Sequence, residues 1–200
     1  MRLVVGLGNP GRRYAGTRHN VGFMAAEEFL ERHGSGPLRE EHGALVAGAR
    51  WAGESVLVAL PQSFMNLSGT PVAKVARAHR AGASDVVLLY DDADLPLGSI
   101  RVRPDGRSAG HNGVASVIEA FGTEEIPRVR LGIGRPETEA RTRRPGLADY
   151  VLDEFAPGEE PARKEMIRTA ADAVEWLIRE GVKAAMNRYN RRRPEQPATG

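Results

Sequence analysis

Leu3-Val4-Val5-Gly6-Leu7-Gly8-Asn9-Pro10-Gly11 is the stretch on which the fold turns. Its apolar first half, ended by glycine and proline, has the pattern of a buried strand and is expected to open a central sheet. Its second half matches G-x-G-x-x-G, the spacing of a dinucleotide-binding turn. Such a turn works only when a helix starts within the glycines and aims its amide ends at a pyrophosphate. Here Pro10 and the polar run Arg12-Arg13-Tyr14-Ala15-Gly16-Thr17 delay the helix to about Asn20. No acid closes a second strand about 20 residues on, where a nucleotide fold would place one for the ribose. A first strand without a dinucleotide site is the better reading.

Outward from that strand, Asn20 is placed to cap a helix running to about His33. Ala44 to Trp51 and Glu54 to Leu60 read as two strands turned at Ala52-Gly53. Thr70-Pro71 is a cap followed by proline at the first helical position, which predicts a helix to about Arg80. Val86-Val87-Leu88-Leu89-Tyr90 is the most apolar short run and predicts a central strand with Asp91 at its carboxyl end. Ser99 to Arg103 is a weaker strand, Gly113 to Phe121 a short helix and Val129 to Gly134 another strand. Arg135 to Tyr150 is polar without periodicity and reads as a mobile loop. From Glu160 to Glu180 a long helix carries an apolar stripe through Ile167, Ala170, Ala171, Val174, Leu177 and Ile178, and Val182 to Tyr189 extends it. The expected fold is a single α/β domain over residues 1–190, a twisted mixed sheet with helices on both faces. Residues 191–200 form a polar, basic tail that is expected to be disordered.

The 200 residues contain no cysteine, which excludes disulfides, thiolate metal sites and a cysteine nucleophile. No apolar run approaches a membrane span or a signal-peptide core, so a soluble cytoplasmic protein with no membrane partner is expected. The net charge is only +2, from 28 basic and 26 acidic side chains. The basic ones are mostly arginine and are clustered: Arg2, Arg12, Arg13 and Arg18; Arg101, Arg103 and Arg107; Arg128, Arg130 and Arg135; Arg141, Arg143 and Arg144; and Arg188 with Arg191 to Arg193. A basic face on a nearly neutral protein follows, with the planar guanidinium suited to phosphate.

Two further motifs bear on the chemistry. Gly106-Arg107-Ser108-Ala109-Gly110 matches the G-x-S-x-G nucleophile elbow, but the last histidine, His111, follows the serine at once and leaves no triad in the hydrolase chain order. Asp91-Asp92-Ala93-Asp94 at a strand end has the carboxylates to hold a hard cation, so a metal-dependent phosphodiesterase or nuclease stays open as the alternative. Neither a calcium-loop nor a zinc-helix motif accompanies it.

Of the five histidines, His33, His42 and His79 have no motif around them, whereas His19 and His111 differ in setting, and His19 follows the loop that leaves the first strand at the expected strand ends. Ligands bind in the crevice outside those ends. There His19 can act as a base, with Asp91 to fix its tautomer and support its charged form. Asn9, Asn66 and Asn112 lie in glycine-rich or small-residue turns, and their amides can hold a carbonyl, a peptide backbone or a water without net charge. Histidine-assisted attack by water is the chemistry this set suggests.

With these residues in view, the chain resembles the bacterial-type peptidyl-tRNA hydrolases in four segments. They are Gly6-Leu7-Gly8-Asn9-Pro10-Gly11 with Tyr14 and Thr17-Arg18-His19-Asn20-Val21-Gly22-Phe23; Met65-Asn66-Leu67-Ser68-Gly69; Asp91 with Asp94-Leu95-Pro96 and Gly98; and Gly110-His111-Asn112-Gly113 with Arg130-Leu131-Gly132-Ile133-Gly134-Arg135-Pro136. The resemblance implies a monomeric enzyme without metal or cofactor that cleaves the ester joining a peptide to the terminal ribose of tRNA, recycling tRNA from prematurely released chains. It implies His19 as general base and Asp91 as its orienting carboxylate, with Asn9, Tyr14, Asn66 and Asn112 on the substrate. Arg103 and Arg130 would face the acceptor stem, which with the 3′ end is the part of the tRNA engaged. The chain departs from the family's usual residues at Leu60, Phe64, Asp92-Ala93, Asp105-Gly106-Arg107 and Ala115. These departures touch the expected nucleic-acid contacts and leave the catalytic set intact.

Overall fold

The computed structural model describes residues 1–135 and 146–190. Its strands are β1 (Arg2–Gly6), β2 (Arg39–Glu41), β3 (Ala44–Trp51), β4 (Glu54–Pro61), β5 (Val86–Asp92), β6 (Ile100–Arg103) and β7 (Arg128–Gly132). They form one mixed sheet in the order β2-β3-β4-β1-β5-β7-β6. The centre is parallel, β1 running with β4 and β5, and β5 with β7, while β2, β3 and β6 pair antiparallel. The helices are α1 (Val21–His33), α2 (Gly69–Ala78), α3 (Asn112–Phe121), α4 (Leu147–Leu152), α5 (Glu160–Glu180) and α6 (Val182–Tyr189).

Strand alternation sends side chains to opposite faces, and both faces of the central strands are apolar. Val4, Val87, Leu89, Val129 and Leu131 meet Val21, Ala25 and Phe29 of α1 and Met166, Ala170 and Val174 of α5. Leu3, Val5, Val86, Leu88 and Tyr90 meet Val72, Val75 and Ala76 of α2 and Val114 and Val117 of α3. The expected single α/β layer with helices on both faces is therefore the observed one.

One close approach fixes the start of α1 against the sheet. A Cβ on Gly22 would lie 2.3 Å from the Leu89 carbonyl oxygen and 2.5 Å from that of Leu7, and a Cβ on Gly6 would lie 2.5 Å from the Gly22 carbonyl. Gly22→Ala is expected to cost about 1–3 kcal/mol as the helix is pushed off the strands. Denaturant unfolding checks this, and a midpoint equal to wild type would refute it.

Three local expectations need correction, and one strand, β2, goes beyond them. Asn20 does not cap α1: a helical turn at Arg18–Asn20 runs straight into the helix, and the Asn20 amide instead braces the Asn9 backbone. The second helix starts at Gly69 rather than at a Thr70 cap, because the turn Met65–Leu67 leads directly into it; Pro71 still falls in the first turn, where its missing N–H is harmless. β2 is three charged residues with no apolar pattern, held by pairing to β3. In the segment read as a mobile loop, Leu147–Leu152 forms α4, with Tyr150 buried and its hydroxyl donating to the Ile133 carbonyl at 2.8 Å. The expectations for residues 136–145, including Arg141, Arg143 and Arg144, and for the 191–200 tail lie outside the described residues.

At the outer edge, Asn190 turns back on β6. Its Oδ1 accepts from the Val102 N–H at 2.8 Å and its Nδ2 donates to the Val102 carbonyl at 2.9 Å.

Candidate active site

The parallel centre of the sheet sets the site, because β1, β5 and β7 deliver their carboxyl ends to one side. β5 ends on Asp91-Asp92, and Asp91 is only 4% exposed. The loop leaving β1 returns through the turn Arg18–Asn20, which sets His19 against Asp91: His19 Nδ1 lies 2.7 Å from Asp91 Oδ1. From the other side, the turn into α3 brings His111 Nε2 to 2.9 Å from the same oxygen. The imidazole rings stand 5.0 Å apart, and Tyr90 packs edge-on against His111.

The tautomers follow from the remaining bonds. His111 precedes α3, and its Nδ1 accepts from the Val114 N–H at 3.2 Å. With Nδ1 accepting, Nε2 carries the hydrogen and donates to Asp91, so both nitrogens of His111 are used. In His19 the Nδ1–H donates to Asp91, and Nε2 has no hydrogen-bond partner among the described residues. Burial, the largest single influence on Asp91, pushes its carboxyl up, but the charges and hydrogen bonds of His111 and His19 together outweigh it. They hold the carboxyl well below the ordinary carboxylate range.

Around this centre lies a cleft of about 660 Å³, lined by His19, Asp91, His111 and Asn112, by Arg103 and Arg130, and by Leu147, Ala148 and Val151 of α4. Such a volume suits one small ligand or the end of a larger one. Asn112 opens α3 with its side chain exposed at the cleft. Asn9 and Asn66 are not in the lining but are tied to it. Asn9 is buried and its Oδ1 accepts from the Met65 N–H at 2.8 Å, fixing the turn that carries the exposed Asn66. Tyr14 stands away from the lining, its phenol bonded to Arg13, whose guanidinium lies 4.5 Å over the ring.

Arg103 of β6 faces the cleft with no carboxylate partner among the described residues. Arg130 of β7 is bonded to Asp92, and Arg135 to Asp94. The acidic run therefore has two of its three carboxylates neutralised by arginine and the third held by histidines, which leaves no bare carboxylate cluster for a hard cation. Two imidazoles and Asp91 are nonetheless a donor set that a transition metal could take.

Two arginines counted with the basic clusters are not surface groups. Arg128 is 1% exposed, and its guanidinium bonds the carbonyls of Ile126 and Glu124, each at 3.0 Å. Arg18 is 6% exposed and paired with Glu159. His111 stood in a suggestive loop but had no role from sequence; its signal was the Gly110-His111-Asn112-Gly113 turn, and only the fold brings it onto Asp91. His33 and His79 bond Glu175 and Glu41, away from the cleft.

Comparison with known proteins gives the family of the chain. Residues 3–197 match the family model described as peptidyl-tRNA hydrolase. A peptidyl-tRNA hydrolase of Symbiobacterium thermophilum is 45% identical over 193 residues, covering 94% of this chain and 98% of the relative. One of Alkaliphilus oremlandii is 40% identical over 190 residues, covering 95% and 100%. The crystal structure of peptidyl-tRNA hydrolase from Acinetobacter baumannii superposes with a TM-score of 0.85 at 29% identity, covering 95% of this chain and 94% of that one. No helix among the described residues is long and apolar enough to cross a membrane. On the match along nearly its whole length, the chain belongs to the peptidyl-tRNA hydrolase family.

Proposed function

We propose that His19 is the general base that activates water in this enzyme, with Asp91 orienting it and His111 holding Asp91. The chain is a peptidyl-tRNA hydrolase and acts on peptidyl-tRNA. The observation that carries the assignment of the base is the asymmetry of the two histidines on one carboxylate. His111 has spent both nitrogens, whereas His19 keeps Nε2 for a proton.

The bonds then balance as follows. Water adds to the ester carbonyl carbon and gives its proton to His19 Nε2, and the imidazolium that forms is supported by Asp91. The tetrahedral intermediate collapses by breaking the bond to the terminal ribose oxygen, which takes the proton back from His19. A peptide acid and a tRNA with a free hydroxyl leave. An ester needs no covalent enzyme intermediate, and the chain has no cysteine to form one. Asn112 in the lining and Asn66 at the neighbouring turn are read as amides for the ester carbonyl, the water and the peptide main chain, and Asn9 as offering its Nδ2, since its oxygen is engaged. Tyr14 is read as a more remote substrate contact. We read the enzyme as a monomer of the cytoplasm, where translation supplies this substrate.

Amides that bond a peptide N–H and carbonyl discriminate against a free ammonium, because each mispaired polar group costs about 1–3 kcal/mol. The direct test sets N-acetyl-aminoacyl-tRNA beside free aminoacyl-tRNA and follows ester loss. The blocked form is expected to be hydrolysed, the free form spared, and the RNA left at full length with or without EDTA. Shortened RNA or an EDTA-sensitive reaction would favour the metal-dependent nuclease.

Arg103 and Arg130 are read as phosphate contacts, with Asp92 displaced from Arg130 when a phosphate arrives. Arg103→Ala or Arg130→Ala is expected to raise KM for tRNA substrates, lower the salt slope by about one and leave a short ester substrate unaffected. Equal losses on both substrates would refute the phosphate role.

A further inference from the structure

We propose that Arg18 is a positioning residue of this reaction: it ties the α4 wall of the cleft to the turn that carries His19. Arg18 directly precedes the proposed base, yet its side chain points away from the cleft into the segment that follows α4. There its guanidinium donates to the Glu154 carbonyl at 2.5 Å and to Glu159 Oε2 at 2.6 Å. The cation lies 4.3 Å from the centre of the Tyr150 ring and 5.1 Å from that of Phe155. Its main chain joins the same contact, since the Arg18 N–H donates to the Asp153 carbonyl at 3.0 Å and Thr17 bridges Glu154 as an antiparallel pair.

α4 cannot hold itself in place. Six residues are far below the length at which an isolated helix persists in water, so its position depends on tertiary ties. The described residues supply the Tyr150 hydroxyl on the Ile133 carbonyl, the main-chain pairing of Thr17 and Arg18 with Glu154 and Asp153, and the Arg18 guanidinium with its carboxylate, carbonyl and two rings. α4 in turn presents Leu147, Ala148 and Val151 to the cleft. One side chain next to the base thus helps to set where the apolar wall stands relative to that base. Its charge is matched by Glu159, so it has no share in attracting phosphate. The planar fork also explains why the position suits arginine: a lysine could keep the Glu159 pair but not the carbonyl bond and the ring contacts together.

The inference rests on the cleft being the substrate site. Its test uses the full-length enzyme on N-acetyl-aminoacyl-tRNA, with kcat, KM, the pH profile of kcat/KM and the thermal midpoint measured for Arg18→Met, Arg18→Lys and Leu147→Ala. Loss of charged hydrogen bonds predicts that Arg18→Met raises KM about tenfold to hundredfold, with kcat within a few-fold and an unmoved pH profile. Arg18→Lys is expected to recover part of the loss. Arg18→Met combined with Leu147→Ala is expected to cost little more than Arg18→Met alone, because both act through one wall. A shifted pH profile at unchanged KM would mean that Arg18 acts on the charge of His19 and would overturn the proposal. So would a lowered midpoint with unchanged KM and kcat, which marks a purely structural residue. If Arg18→Met does not fold, Glu159→Gln should raise KM in the same direction, and an unchanged KM there overturns the proposal too. Failure of the base assignment reads differently: His19→Ala would then keep its turnover, whatever Arg18 does to KM.

Discussion

His19→Ala is expected to lower turnover of N-acetyl-aminoacyl-tRNA by about 10²–10⁴-fold, the usual contribution of a positioned general base. Substrate binding should be largely kept, because the cleft lining, the arginines and the asparagines do not depend on this ring. The argument for so large an effect is the lack of a substitute. His111 Nε2 is engaged by Asp91 and its Nδ1 by the Val114 N–H, so no other imidazole nitrogen at the centre is free among the described residues. Single-turnover ester loss at saturating enzyme isolates the chemical step. A variant that keeps more than a tenth of the wild-type rate would remove His19 from the mechanism.

Asp91→Asn is expected to be nearly as damaging, between about 10² and about 10⁴-fold in kcat; the upper figure is the loss seen when the orienting carboxylate of a Ser-His-Asp triad is made an amide. The amide oxygen can still accept from His19 and His111, so geometry survives while the negative charge that supports the imidazolium is lost. The same substitution should alter the response to acid. The Asp91 carboxyl is held below its ordinary value when folded. Its contribution to stability is therefore fully present above the unfolded carboxylate range and disappears as pH falls towards the depressed folded value. In Asp91→Asn that part of the acid-side destabilisation should be missing, which chemical denaturation at a series of acidic pH values measures. An unchanged kcat would sink the orienting role.

Much of this was legible in the sequence, and particular residues show why. Leu3 to Leu7 and Val86 to Tyr90 are apolar at every position, as strands covered on both faces must be, so the sheet centre and the strand-end placement of Asp91 could be read directly. His19 was legible as a loop histidine facing those ends. β2 was not, because Arg39-Glu40-Glu41 carries no apolar pattern and depends on pairing alone. α4 was not legible because its place depends on Arg18, whose carboxylate partner Glu159 is 141 positions away. Burial of Arg18 was invisible for the same reason, since a charge is read as exposed until its distant partner is known; Arg128 is instead satisfied by the nearby carbonyls of Glu124 and Ile126, which no pattern of side chains announces. His111 was noticed by its turn but could not be joined to Asp91, because chain order alone does not say that two loops close on one oxygen.

The amide of Asn190 has a consequence for how copies of this molecule behave towards one another. β6 is the last strand on its side of the sheet, and an open strand edge offers unpaired N–H and C=O groups to any other chain that arrives extended. At Val102 both groups are already satisfied by one side chain, which imitates the next strand at its central point. The short strand that carries Arg103 is thereby blocked at its centre against strand-to-strand association, and its half-buried arginines stand without a fully open edge beside them that would invite another copy to pair.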